Sequence, residues 1–270
     1  MVVTYPPTSN NADTSAQAAV LDAADSTYSL LYFDTQGILN PTRNLLVLGD
    51  ATWTQLYPQD WENEDQLDKK STPFEVMPVL YVHAKDGSLT IPIAESRVIE
   101  LYLAEKLGFL GKNSYERLLI TSFASSTASP WDTFISTVAS IHVPPEAKQA
   151  QLIHFLTKIA PQWIRVHEEH LKANGLNGHY VGDTITLADL RTAALIDLIQ
   201  KFPPGAQLLT PEATPALLMV KDAVDNHPKI VNWRASELYK SQRSSRAVPL
   251  LPAASCVRLN DRQGNKSGGI

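Results

Sequence analysis

Strand signals and helix signals occupy different halves of this 270-residue chain. Short apolar runs with the length of strands, such as Ser29–Phe33 and Met77–Val82, are confined to the first half. From Ser114 onward, apolar residues recur instead at helical spacing over long segments. This division predicts a mixed α/β domain followed by an all-α domain.

The first half predicts a compact mixed sheet with the element order β-α-β followed by β-β-α. Asp86 and Gly87 form a two-residue turn signal between the last two strands, and Gly108 is a stop signal after the last helix. The predicted strands are Ser29–Phe33, Thr52–Tyr57, Met77–Val82 and Ser88–Ile91, and the predicted helices are Thr42–Leu48 and Glu95–Leu107. We expect this α/β domain to span residues 28–110.

The second half predicts a helical domain over residues 114–243. The flanking stretches 1–27 and 244–270 are rich in small and polar residues, so we expect a flexible arm, with a short helix over Ala16–Ala24, and a flexible tail. The predicted helices of the second half are Tyr115–Ser129, Trp131–Ile141, Pro145–Asn174, Leu187–Lys201, Pro215–Asn226 and Pro228–Ser241.

The charge distribution narrows the classes of partner and compartment. A formal net charge of −5 argues against nucleic acid or an anionic membrane as the main partner, because both favour a basic surface. No apolar run approaches the roughly 18–20 residues of a membrane span. The first 27 residues contain no Lys or Arg, which argues against a basic targeting segment and favours a cytoplasmic protein.

The single cysteine, Cys256, lies close to the end of the chain. One cysteine cannot form an internal disulfide, and no Cys-x-x-Cys pair is present for redox exchange or metal binding. Any thiol chemistry in the first half therefore has to use a thiol supplied by a ligand.

Met77-Pro78 opens a strand-like run, which is unusual because proline removes a donor from the sheet ladder. One interpretation is an edge strand. The other is a cis peptide bond at a binding site, which would leave the backbone of Met77 available to pair with an extended peptide.

Glu95 and Ser96 stand at the start of the last helix of the first half. They are common residues in a first helical turn, so capping explains them adequately. A helix N-terminus with a serine hydroxyl also suits a ligand carboxylate, and Glu95 could pair with a ligand ammonium.

Several segments together resemble the cytosolic glutathione S-transferases. The run 74–80 and, after a hairpin, the run 93–99 are similar to the core of the glutathione site in that family. The opening 28–33 resembles the tyrosine-type classes, particularly the sigma-like branch that includes glutathione-dependent prostaglandin D synthases. In the second half, 181–189 resembles the family's folding motif, in which Thr186 and Asp189 form a capping box.

This resemblance implies the glutathione S-transferase fold, with a thioredoxin-like first domain, and a site for glutathione. Tyr32 takes the place of the catalytic tyrosine, whose hydroxyl donates to the bound sulfur and stabilises the thiolate. Core packing is the alternative role for Tyr32. Phe33 would pack against the ligand or the sheet.

The remaining site residues implied by the resemblance bind the ends and the middle of the tripeptide. Met77, with Val76 and Pro78, would meet the cysteinyl unit, and Glu95 and Ser96 would bind the γ-glutamyl group. The candidates for the glycyl carboxylate are Trp61, Lys69 and Lys70.

Two departures from the family pattern lie close to the expected sulfur position. The arginine that often follows the glycine after the first strand is replaced by Ile38. The acidic residues usually offered to the partner subunit's glutathione are missing from 125–129, where Asp132 is the nearest acid. Both losses favour weak, altered or absent activity.

We therefore expect glutathione as co-substrate and a small apolar electrophile as second substrate, in a homodimer without a metal. The alternatives are a glutathione-dependent isomerase or peroxidase, and a non-catalytic binding or structural protein. His167 and His170, with Glu168 and Glu169, could be interpreted as a metal cluster, but a solvated helix face is the stronger interpretation.

Overall fold

The structure is a computed structural model that describes residues 13–61, 66–140 and 142–242. The first part of the expected arm, the expected tail and Cys256 lie outside the described residues.

A four-stranded mixed sheet forms the centre of the first half, with the strand order β2-β1-β3-β4. β1 runs parallel to β2 and antiparallel to β3, and β3 is antiparallel to β4. Buried apolar side chains on β1 and β3, such as Leu30 and Leu80, attach the sheet to the core. The strands are β1 (Thr27–Leu31), β2 (Trp53–Leu56), β3 (Val79–His83) and β4 (Thr90–Ala94).

Four helices accompany the sheet, and the predicted order β-α-β followed by β-β-α is confirmed. β1 ends one residue before Tyr32, and β3 begins one residue after Pro78, because proline has no N–H to donate to the ladder. Between β2 and β3, residues 67–70 form a short helix. The helices are α1 (Ser15–Asp22), α2 (Asn40–Leu48), α3 (Leu67–Lys70) and α4 (Ser96–Lys106).

Part of the segment expected to be a flexible arm packs on the sheet domain. Helix α1 contacts β3 and β4, and Val20 on this helix is buried. The hydroxyl of Tyr102 on α4 donates to the carbonyl oxygen of Leu21 at 3.0 Å, and that of Ser26 donates to the carbonyl oxygen of Val20 at 2.7 Å. Residues 15–26 therefore belong to the fold.

The second half is helical, and the predicted fold class, an α/β domain followed by an all-α domain, is confirmed. Two π-helical turns, Ile135–Ala139 and Phe155–Ile159, interrupt it. The helices are α5 (Ser114–Phe134), α6 (Pro145–His154), α7 (Ala160–Ala173), α8 (Leu187–Gln200), α9 (Pro203–Ala206), α10 (Pro215–Asp225), α11 (Pro228–Ala235) and α12 (Glu237–Ser241).

Two predicted helix boundaries in this half are wrong. Pro130 was expected to separate two helices but lies inside α5. A proline inside a helix costs about 3 kcal/mol, and burial of Ala128, Trp131 and Phe134 on the same helix outweighs that loss. The opposite error concerns 228–241, where Ser236 ends α11 and caps α12 instead of continuing one helix.

Helix α8 lies at the centre of the molecule. It packs against α5 and α10 of the helical half and against α2 and α4 of the first half. The buried apolar residues of both halves form one continuous cluster around it. Across the described residues, no helix is both long and apolar enough to cross a membrane.

Candidate functional site

Three neighbouring strands of the sheet have one end each at the same side of the molecule. Leu31 at the end of β1 pairs with Val79 at the start of β3, and Val79 pairs with Ala94 at the end of β4. These three side chains form a small buried cluster against which Met77 packs. The residues that follow or precede them in sequence, including Tyr32, Pro78 and Glu95, are therefore brought together at these strand ends.

The peptide bond between Met77 and Pro78 is cis, and β3 lies between β1 and β4, so the edge-strand interpretation is wrong. The segment leading to it is unusual, because Glu75 has a positive φ of 56°. Val76 is exposed, while Met77 is half-buried against the strand ends.

Tyr32 is the first residue after β1, and its position is set by backbone pairing. Its N–H donates to the carbonyl oxygen of Leu56 at 3.1 Å, which extends the β1–β2 ladder by one step. The side chain is half-buried against the main core. Burial raises the pKa of the Tyr32 phenol, and the positive charge of Arg43 opposes that rise. The phenol is therefore protonated at neutral pH and can donate a hydrogen bond to an anion.

Arg43 on α2 is fully buried below the segment that follows Tyr32. Its Nη1 donates to the carbonyl oxygen of Thr35 at 2.7 Å, and its Nε donates to Gln55 Oε1 at 3.2 Å. Gln55 in turn donates to the carbonyl oxygen of Leu30 at 2.8 Å. Burial lowers the pKa of the Arg43 guanidinium to about 10, against the opposing effects of Tyr57 and Tyr32. Arg43 thus stays charged and connects both ends of the Tyr32 turn.

An aromatic row extends outward from Tyr32. Its ring lies 5.6 Å from that of Phe33, centroid to centroid, and the ring of Phe33 lies 5.8 Å from that of Trp61. The structure therefore brings Trp61 next to Phe33. Lys69 and Lys70 lie on α3, in the same segment as Trp61, with Lys69 half-buried and Lys70 exposed.

Glu95 and Ser96 occupy the start of α4. Glu95 is exposed and has a positive φ of 70°, which is uncommon for a residue with a side chain. Ser96 is half-buried, and together with Ile38 it lines a small cavity between α2, α4 and α5. The apolar residue at position 38 is thus close to the proposed γ-glutamyl end of the site.

A group of buried polar side chains beside Tyr32 was missed by the sequence analysis. Side-chain polar atoms of Asp34, Arg43, Tyr57 and Gln242 are shielded from solvent there. Burial, followed by the charge of Asp34, raises the pKa of Tyr57. Only α12 brings Gln242 to this position, so no local sequence signal could have identified the group.

The histidine cluster on α7 is structural, and the predicted solvated face is wrong for two of its members. His167 Nδ1 lies 2.6 Å from the hydroxyl of Tyr180, and Nε2 lies 3.1 Å from Ser126 Oγ. Glu168 is also buried. No set of three or more His, Cys, Asp or Glu side chains that could hold a metal ion occurs among the residues that the structure describes.

The carboxylate of Glu168 caps a neighbouring helix. Its two oxygens accept hydrogen bonds from the N–H groups of Ala216 and Leu217, at 3.0 and 2.9 Å, in the first turn of α10. Both partners are far from Glu168 in sequence, which explains why this role was not predicted.

The amino-acid sequence is similar to a known protein family and to several curated proteins. Residues 131–237 match the family described as glutathione S-transferase, C-terminal domain. Glutathione S-transferase A3 of Mus musculus is 25% identical over 202 residues, covering 74% of this chain and 85% of the mouse protein. S-crystallin SL11 of Nototodarus sloanii is 28% identical over 218 residues, covering 76% of this chain and 94% of that protein.

Solved structures share the fold at lower identity. A sigma class GST of Fasciola hepatica has a TM-score of 0.65 and 21% identity, covering 82% of this chain and 98% of its own. Prostaglandin synthase D of Nilaparvata lugens has a TM-score of 0.63 and 22% identity, covering 78% of this chain and 98% of the Nilaparvata lugens chain.

The mixed sheet, the cis-proline before β3 and the helical second half define a protein of the glutathione S-transferase fold. In sequence, the chain is similar to the glutathione S-transferases, both through the C-terminal domain model that residues 131–237 match and through curated relatives that are 25–28% identical.

Proposed function

We propose that this protein is a glutathione transferase that binds glutathione beside Tyr32, at the ends of β1, β3 and β4. The observation that carries the proposal is the register Leu31–Val79–Ala94, which gathers a phenol, a cis-proline turn and a helix N-terminus. A tripeptide with a thiol in its middle and a charged group at each end matches these three features.

The proposed chemistry is formation of a thiolate followed by nucleophilic attack. A free thiol with a pKa near 8.5 is only a few per cent ionised at pH 7. The phenol of Tyr32 donates a hydrogen bond to the sulfur, which stabilises the thiolate, and the thiol proton passes to solvent. The sulfur then attacks the electrophile and its leaving group departs.

The ends of the tripeptide have separate partners in this proposal. Ser96 and the N-terminus of α4 bind the γ-glutamyl carboxylate, and Glu95 pairs with the ammonium. Trp61 and Lys69, with Lys70 nearby, are the candidates for the glycyl end. The backbone of Met77 pairs with the cysteinyl unit.

The test replaces the phenol hydroxyl, in Tyr32→Phe. We expect kcat with 1-chloro-2,4-dinitrobenzene to fall about 10–100-fold, because a preorganised donor to the sulfur is lost. The pKa of bound glutathione, followed by thiolate absorbance, should rise. Tyr115→Phe on the exposed start of α5 is the matched control and should behave as wild type. Equal turnover in the wild type and Tyr32→Phe would remove Tyr32 from the mechanism.

A non-catalytic binding protein is the second candidate. Two observations favour it: the apolar Ile38 beside Ser96, and a relative of 28% identity that is named as a crystallin. Retention on immobilised glutathione without turnover of any electrophile would support this candidate, whereas turnover that depends on Tyr32 would reject it.

We also propose a cytoplasmic homodimer. Helices α4 and α5 border a groove of about 220 Å³ and expose apolar side chains beside it, including Leu101 and Leu118. Sedimentation velocity should show a dimer that Leu101→Lys weakens, while Val231→Lys, an exposed site on α11, should leave it intact.

A further inference from the structure

A second cavity, of about 390 Å³, lies between the turn after Tyr32 and the helical half. Gln36, Gly37 and Asn40 form one wall, and α8 forms the other. Trp131 closes one end, and Arg234 and Tyr239, from α11 and α12, also line the cavity.

This cavity is bordered by the turn that follows Tyr32, since its wall includes Gln36 and Gly37. Gln36 Nε2 donates to the carbonyl oxygen of Tyr239 at 3.4 Å, which ties the turn to α12. Arg43 holds the same turn through Thr35 and is close enough to influence both Tyr32 and Tyr239 electrostatically. A molecule in the cavity therefore lies against the segment that carries Tyr32.

The walls combine apolar and charged surfaces. Trp131 and Leu198 are apolar, whereas Asp197 and Arg234 are charged. A small apolar electrophile, as expected from the sequence, would not need the charged part of this lining.

The charged groups are organised as an alternating chain. Lys221 Nζ lies 2.5 Å from both Asp197 and Asp225, and Arg234 Nη2 lies 2.7 Å from the second oxygen of Asp225. The charges of both carboxylates are thus met inside the protein. Arg234 terminates the chain at the cavity, and because a guanidinium has five N–H donors, its bond to Asp225 leaves donors for a ligand. Lys201 adds a further cation to the wall.

We infer that the electrophile of this site has a flat apolar body and carries an anionic group of the carboxylate class, bound by Arg234. The inference rests on the proposed transferase function and names its substrate class. The apolar body packs on Trp131 and Leu198, and the planar guanidinium matches the geometry of a carboxylate.

The test uses two aryl chlorides that differ only in this group, 4-chloro-3,5-dinitrobenzoate and 4-chloro-3,5-dinitrobenzamide. In both, the glutathione thiolate forms a C–S bond at C4 and chloride leaves with the electron pair of the C–Cl bond. We expect kcat/KM, corrected for the uncatalysed rates, to be about tenfold higher for the benzoate. Arg234→Gln should abolish this preference, mainly through KM.

The matched control is Arg165→Gln, which removes an exposed arginine paired with Glu169 on α7. It should keep the wild-type ratio of the two kcat/KM values. A wild-type preference for the benzamide, or a ratio that Arg234→Gln does not change, would overturn the inference.

Calorimetry with the two glutathione conjugates, and with glutathione alone, separates the two proposals. Tighter binding of the carboxylate conjugate, lost in Arg234→Gln, supports the inference independently of turnover. If the protein binds glutathione and binds the two conjugates with equal affinity, the inference is overturned but the proposed function stays in place. Absence of binding by glutathione and by both conjugates overturns both.

Discussion

At the scale of single residues, several side chains are defined by burial more than by chemical type. His167 is 1% exposed and lies between Tyr180 and Ser126, with Trp163 tilted against its ring at 4.8 Å. Tyr32, by contrast, is half-buried and borders the candidate site. A histidine or a tyrosine in this protein is therefore interpreted by its surroundings.

The pH dependence of folding follows from His167. Burial, and secondarily the nearby His170, lower its pKa to about 4, whereas an unfolded histidine has its ordinary value of 6.5. Between these values the unfolded chain binds more protons than the folded chain. The contribution of neutral His167 to stability is therefore fully present above about pH 6.5 and is lost as the pH falls towards 4. The loss from this residue is about 3 kcal/mol.

Urea unfolding of wild type and His167→Gln at several pH values measures this contribution. Glutamine keeps hydrogen-bonding capacity but does not titrate, so the difference between the two proteins should shrink as the pH falls from 6.5 to 4. Parallel curves over that range would show that another group is responsible.

At the scale of secondary-structure elements, capping decides where the central helix begins. Asp189 Oδ2 accepts from the N–H and the hydroxyl of Thr186, at 2.7 and 2.8 Å, and Oδ1 accepts from the N–H of Tyr180 at 2.9 Å. The capping box expected at this position is confirmed. It also fixes the preceding loop to α8.

Replacement of this carboxylate should destabilise the whole protein. Asp189→Ala leaves two buried N–H groups without partners, so we expect the free energy of unfolding to fall by about 3 kcal/mol. Asp183→Ala, an exposed carboxylate in the same loop, should change it by less than about 0.5 kcal/mol. Similar midpoints of urea denaturation for both variants would contradict this account.

At the scale of the whole molecule, four ion pairs among the described residues join the sheet half to the helical half, and two of them, one buried and one exposed, can be compared. Glu100 on α4 and Arg191 on α8 are buried, with 2.6 Å between Glu100 Oε2 and Arg191 Nε, and the hydroxyl of Thr42 donates to Glu100 Oε1 at 3.4 Å. Burial raises the pKa of Glu100, and Arg191 opposes that rise. Arg97 and Asp132 form the second pair at the surface.

The two pairs should differ in their contribution to stability. Glu100→Gln leaves Arg191 buried without its counter-charge and should cost about 3–5 kcal/mol. Asp132→Asn, which breaks an exposed pair between the same halves, should cost less than about 1 kcal/mol. A double-mutant cycle with Arg191→Met measures the coupling, and a coupling near zero would show that the buried pair does not join the halves energetically.

Local sequence patterns determined much of this protein. The element order, the cis-proline, the capping box and the placement of Tyr32 near a strand end all depend on residues close together in the chain, where backbone geometry and hydrogen bonding are local. The roles assigned to Tyr32 and the other site residues stay predictions.

Only the tertiary structure decided which polar groups are buried together and which cavity they line. The bonds from Glu168 to α10, the group formed by Arg43, Tyr57 and Gln242, and the chain of charges that ends at Arg234 each join residues distant in sequence. Their contacts arise when separate elements pack around α8. Sequence spacing does not encode that packing, because it is determined by how the whole apolar surface is buried.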